Sequence, residues 1–124
     1  MPKKLTPNSG HASATAAALQ AGKLLAANLH APKKINEQIQ HDIKLELDVR
    51  CQKTIERRLR KDFADIAILG EEGITGDPEA QYRWVVDPID GTVNFTYGIP
   101  HACVSIALQQ RANHSSAYES LVGV

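Results

Sequence analysis

With 124 residues and fourteen basic against fourteen acidic side chains, the chain is sized for one domain and has no net charge to hold it on nucleic acid or an anionic membrane. Its 43% hydrophobic content is ordinary for a soluble globular protein, and no apolar run reaches the length of a membrane span. Cys51 and Cys103 are far apart, lack partners at zinc-finger spacing and leave room for at most one disulfide; they read as reduced core residues of a cytoplasmic protein.

From the N-terminus, Pro2, Pro7, Asn8, Ser9 and Gly10 predict a flexible tail over residues 1–10. Alanine and leucine then dominate from about Ser13 to Leu29 and predict a packing helix that Pro32 ends. Gln20, Gly22, Lys23 and Asn28 interrupt its apolar run, unlike the core of a secretory signal. Between Lys33 and Gln40 only Ile35 and Ile39 hint at a strand or extended loop. Ile43, Leu45 and Leu47 alternate with polar residues, the period of a half-buried strand, which Asp48 closes. Val49 to Asp62 places Cys51, Ile55 and Leu59 at i, i+4, i+8, an amphipathic helix that Asp48 can cap. Its Lys53, Arg57, Arg60 and Lys61 read as a solvated face; no aromatic residues interleave them as in a nucleic-acid groove, so no nucleic-acid polymer is expected as partner.

Chemistry enters next. Ile66 to Leu69 reads as a short buried strand that stops at Gly70-Glu71-Glu72-Gly73, and Ile74 to Arg83 as a surface loop. Trp84-Val85-Val86 is a second buried strand, which Asp87-Pro88 should break because proline has no N–H for the ladder. With Pro88 fixing its own φ, Asp87 and Asp90 can point to one side, and Glu71 at the neighbouring strand end should lie close to both. Convergent carboxylates need a cation. Gly91 and Thr92 should open a short helix. Ala102 to Leu108 forms another strand with Val104, Ile106 and Leu108 on one face, residues 111–119 are turn-like, and Leu121 to Val124 begins a further strand. His101 reads as a turn or surface histidine, and His11, His30, His41 and His114 lack metal-ligand spacing.

The stretch Trp84 to Tyr97, W-V-V-D-P-I-D-G-T-V-N-F-T-Y, together with Gly70-Glu71-Glu72, closely resembles the first signature of the inositol monophosphatase family of magnesium-dependent, lithium-sensitive phosphomonoesterases. Acids, Pro, Gly, Thr, Asn and an aromatic at fixed offsets make this far more specific than a lone D-x-x-D. The resemblance implies an α/β fold with layered α+β packing, residues 11–124 forming the N-terminal half of a five-layered αβαβα sugar-phosphatase fold with a largely antiparallel sheet. It implies two or three Mg²⁺ ions in the complete enzyme, held by Glu71, Asp87, Asp90 and the Ile89 carbonyl, and a phosphate on Asp90, Gly91 and Thr92. Glu71 and Thr92 would orient a metal-bound water that attacks the phosphate monoester directly, with Asp48 supporting the site. Inositol phosphate or a related sugar phosphate is the implied substrate, no membrane is involved, and the full-length form is expected to be a homodimer.

Against that pattern, Asp42-Ile43-Lys44-Leu45-Glu46-Leu47-Asp48 has Leu45 where the family often has a hydroxyl before the matching aspartate, which leaves Asp48 divided between a helix cap and a place at the site. Thr92 could likewise be a helix cap and Asn94 a turn residue. The family's second signature, with a further metal-binding aspartate, is not in these residues, so the chain is expected to be the N-terminal part of a longer enzyme and to turn over little substrate alone. The alternative is a non-catalytic metal-binding or interaction fragment.

Overall fold

A computed structural model describes residues 4–32, 35–39, 42–71, 73–112 and 117–124. Glu72, His41, His114 and the first three residues of the expected tail lie outside the described residues. In order the elements are α1 (Pro7–Asn28), β1 (Ile35–Ile39), β2 (Asp42–Leu45), α2 (Glu46–Asp62), β3 (Ala67–Gly70), β4 (Gly73–Thr75), β5 (Tyr82–Asp90), α3 (Thr92–Thr96), β6 (Cys103–Arg111) and β7 (Tyr118–Gly123). The strands form a β1–β2 hairpin and a five-stranded sheet in the order β4-β3-β5-β6-β7. Among the described residues β3 and β5 pair in parallel, and the other sheet neighbours are antiparallel. This is the mixed α/β class with a largely antiparallel sheet that the sequence predicts.

Both long helices pack against each other; α1 also lies over β6 and β7, and α2 over β5. Ala14, Ala17 and Ala21 are wholly buried, so the α1 backbone can approach its neighbours closely. Leu47, Cys51, Ile55 and Leu59 line the inner side of α2, as their spacing requires, while Arg50, Lys53, Arg57, Arg60 and Lys61 are exposed. Ile68, Trp84, Val86, Ile106 and Leu108 complete the core from the sheet. Trp84 is fully buried with the Phe63 ring 6.3 Å away and tilted by 43°, a packing whose truncation to alanine costs about 3–5 kcal/mol.

Several boundaries differ from the sequence reading for local reasons. The first helix starts at Pro7, not near Ser13, so residues 7–10 are helical rather than tail. Ser9 N–H donates to Thr6 Oγ1 at 3.0 Å and Thr6 N–H to Ser9 Oγ at 2.8 Å, with proline in the first turn. Residues that resemble a loose tail in composition are here a reciprocal cap. The strand before α2 ends at Leu45, and Asp48 lies inside the helix instead of ahead of it. The expected loop after Gly73 begins with the exposed strand β4.

Pro88 does not end β5. The strand runs on to Asp90, because Asp87 stands opposite Ser105 and Asp90 opposite Cys103, which puts one extra residue on the β5 side. A bulge of this kind leaves an unpaired position where a proline is tolerated. Cys51 is buried and free, whereas Cys103 is exposed at the start of β6 rather than in the core.

Candidate metal and phosphate site

Ile68 pairs with Trp84 and Leu69 with Val85 in parallel register, so β3 and β5 leave the sheet at the same edge. Gly70 and Glu71 emerge from one, Asp87 to Asp90 from the other. The Glu71 side chain hydrogen-bonds the Asp87 carboxyl, and the Ile89 N–H donates to the same carboxyl. Two carboxyls cannot share a hydrogen bond unless a proton lies between them. Burial, and then the negative charge of Asp90, raise the Asp87 carboxyl above its ordinary value, and the bonds from Ile89 and Glu71 only partly oppose this. Asp87 Oδ1 is buried and has no hydrogen-bond partner among the described residues. Glu71 thus reaches Asp87, and the charge of Asp90 is felt at Asp87; among the described residues the three carboxylates are not gathered into one group.

Ile89 buries its side chain at 1% exposure, while its carbonyl accepts the Thr92 hydroxyl at 2.9 Å. Gly91, at φ 93°, begins α3, and Phe95 N–H closes the first turn onto the Gly91 carbonyl at 3.0 Å. A β-carbon at Gly91 would stand 2.7 Å from the His101 carbonyl oxygen. Only glycine combines that φ with that approach. Asn94 Nδ2 donates to the same carbonyl at 3.2 Å, and Ile99 N–H donates to the Asn94 carbonyl at 2.9 Å, so Asn94 fastens the segment after α3, the turn role open to it in the sequence. Asp90 is exposed, and the Cys103 thiol approaches its Oδ2 at 3.9 Å.

Asp48 is 8% exposed and its Oδ2 accepts the Leu45 N–H at 2.8 Å, reaching back from the first turn of α2. It is a helix-start residue that also borders the same cavity as Glu71. That cavity, of about 200 Å³, is also lined by Gln52, Lys53, Glu56 and Pro88. A second cavity, of about 350 Å³, is bounded by Asp90, Gly91, Asn94, His101 and Cys103. The predicted residues therefore open onto different spaces: Asp48 and Glu71 onto the first, Asp90 and Gly91 onto the second, and Asp87 and Thr92 onto neither. His101 is exposed, as expected of a turn histidine, yet it borders the second cavity beside Asp90. Gln52 and Glu56 were not legible as wall residues, although Asp48, Gln52 and Glu56 at i, i+4, i+8 share one side of α2.

Among the described residues, no three acidic, histidine or cysteine side chains are already gathered tightly enough to hold an ion. The donor chemistry nevertheless fits a hard cation. Asp87 offers a buried, unpartnered oxygen, its contact with Glu71 calls for a positive charge or a proton, and the Ile89 carbonyl keeps a second lone pair beyond the one used by Thr92. These are all oxygen ligands, the set that Mg²⁺ prefers and that a soft metal does not.

No described helix is long and apolar enough to cross a membrane. The profile of the inositol monophosphatase family matches residues 8–116. A relative named Nus factor SuhB, from Pseudomonas aeruginosa, is 46% identical over 80 residues, which are 62% of this chain and 30% of the relative. Inositol monophosphatase 1 of Solanum lycopersicum is 38% identical over 96 residues, 74% of this chain and 35% of the relative. Among solved structures, the extragenic suppressor protein suhB of Bartonella henselae superposes with a TM-score of 0.74 at 33% identity, over 81% of this chain and 40% of that one. The chain thus spans about a third of the length of the curated relatives it matches. The match over residues 8–116 takes in the Glu71 turn and the whole Trp84 to Tyr97 stretch, and by it the chain belongs to the inositol monophosphatase family.

Proposed function

We propose that the chain contributes Glu71, Asp87, Ile89 and Asp90 to a magnesium site that hydrolyses a phosphate monoester, an inositol phosphate or a related sugar phosphate. The observation that carries this reading is the Glu71–Asp87 carboxyl contact beside the unpartnered, buried Asp87 Oδ1. Bound Mg²⁺ would neutralise the phosphate, acidify a water and stabilise the leaving alkoxide. Everything else falls to the chain's own groups.

Thr92 donates its only hydroxyl proton to the Ile89 carbonyl, so its oxygen remains an acceptor and can take a proton of the attacking water in a hydrogen bond. Glu71, exposed at the end of β3, is placed to orient the same water. The first turn of α3 has N–H groups without intrahelical partners, and with Gly91 and Asp90 it would hold the phosphate. Asp48 bonds the start of α2 and supports Glu71 from the wall of the shared cavity. We take the working form to be a homodimer, as the family resemblance implies.

The test is a substrate panel of inositol, fructose and nucleoside phosphates, offered to the full-length protein with and without Mg²⁺. Metal-dependent release of phosphate from a cyclitol or sugar ester supports the proposal. Cation binding without hydrolysis of any ester would favour a non-catalytic metal-binding or interaction module.

A further inference from the structure

We propose that Gln52 is a positioning residue, which presses the Gly70–Glu71 strand end into register with α2 and so sets where Glu71 meets Asp87. Its consequence for cation binding rests on the function proposed above. A β-carbon built on Gly70 would stand 2.8 Å from Gln52 Nε2 and 3.1 Å from both Cδ and Oε1. Such nearly equal distances mean that the carboxamide lies flat over the glycine, in space that any larger residue would claim. Gln52 is held in that place from its own helix, since Nε2 donates to Glu56 Oε1 at 3.3 Å. One turn earlier, Asp48 is tied to Leu45 N–H.

A glutamine on a half-exposed helix side ordinarily keeps its rotamer freedom in water. Here the freedom is given up to a contact with the residue that precedes Glu71. Gln52, Glu56, Gly70 and Glu71 also line one cavity. Glu71 is exposed in the turn between β3 and β4, whose last paired residues are Gly70 and Gly73, so a contact on Gly70 acts on the residue next to it. Substitutions that orient a ligand from behind typically alter metal affinity by about tenfold or more.

The experiment combines residue-resolved amide hydrogen exchange without cation and Mn²⁺ titration followed by electron paramagnetic resonance, in the intact protein. Gln52→Ala should speed exchange at Gly70 and Glu71 by about tenfold, leave the β5–β6 amides unchanged, and weaken Mn²⁺ binding by about tenfold. Gly70→Ala should reproduce both effects from the other side by evicting the carboxamide, whose flexible stem lets it swing out without unfolding the protein. Gln52→Met, which keeps the length of the side chain, should stay within about twofold of the unsubstituted protein. Unchanged exchange at Gly70 and Glu71 in Gln52→Ala, or acceleration spread evenly through α2 and β5, overturns the proposal. Absence of Mn²⁺ binding by the unsubstituted protein would instead overturn the proposed function, while the exchange data would still decide the role of Gln52.

Discussion

The Thr92 hydroxyl donates to the Ile89 carbonyl at 2.9 Å, tying the buried end of β5 to the first residue of α3 across Asp90 and Gly91. Thr92→Val removes the donor with little change of shape, and Thr92→Ser keeps it. Valine should cost about 1 kcal/mol in urea denaturation, and serine should recover most of that loss. Equal stabilities for the valine and serine variants would mean that the bond does not organise the turn.

Gly91 is the tightest point of the same turn. Alanine there would adopt φ 93° with its β-carbon 2.7 Å from the His101 carbonyl. A loss of about 2 kcal/mol is expected for Gly91→Ala from strain and contact together. A urea midpoint that does not move would show that residues 101 and 102 yield freely.

Much of this turn is legible in the sequence. The aromatic and β-branched run Trp84 to Val86, the acids after it and the turn residues Gly91 and Asn94 each state a local preference, and the structure satisfies them together. The approach of Glu71 to Asp87 also followed, since the acids stand after the apolar runs of two strands that need only be parallel neighbours. The misjudged features depend on context. Pro7, Asn8 and Ser9 suit a tail and a helix start equally by composition. Asp48 is a good helix-start residue at either of two positions, and Pro88 breaks a regular ladder but not a bulged one. Gln52 and Glu56 became wall residues only through the packing of α2 against the β3–β4 turn, which no local pattern encodes.

Asp87 gives a pH dependence with a definite sign. Its carboxyl is raised above the ordinary carboxylate value, first by burial and then by Asp90, so in the raised window the folded chain binds more protons than the unfolded one. Stability from this group is complete below the ordinary value and is lost as pH rises through the folded one. In cation-free buffer Asp87→Asn, which mimics the protonated form, should therefore be the more stable protein at neutral pH, with the difference closing as pH falls through that window. Saturating Mg²⁺ should reverse the order by binding the unsubstituted native state. Thermal melts across pH, with and without Mg²⁺, check both; parallel pH curves for the two proteins would contradict the assignment.

The cysteines should separate in reactivity. Cys51 is wholly buried, and burial, followed by the charge of Asp48, pushes its thiol up from 9.0 to about 11. The folded chain keeps that proton while the unfolded chain loses it, so the contribution of Cys51 to stability is lost as pH rises from 9.0 to about 11. At pH 8 a thiol-directed reagent should label exposed Cys103 in the native protein and Cys51 only on unfolding. Native labelling of both thiols at one rate would place Cys51 outside the core.

We propose that the oxygens of Glu71, Asp87 and Asp90 take up one cation together. Calorimetric titration with Mg²⁺, of the unsubstituted protein and of Asp90→Asn in the full-length context, tests this most directly, with circular dichroism to check the fold and phosphate release to read activity. The expected result is saturable binding that weakens by about tenfold or more in Asp90→Asn, with loss of metal-dependent hydrolysis and an unchanged fold. Equal Mg²⁺ affinity and activity in both proteins, or no binding by either, would contradict it.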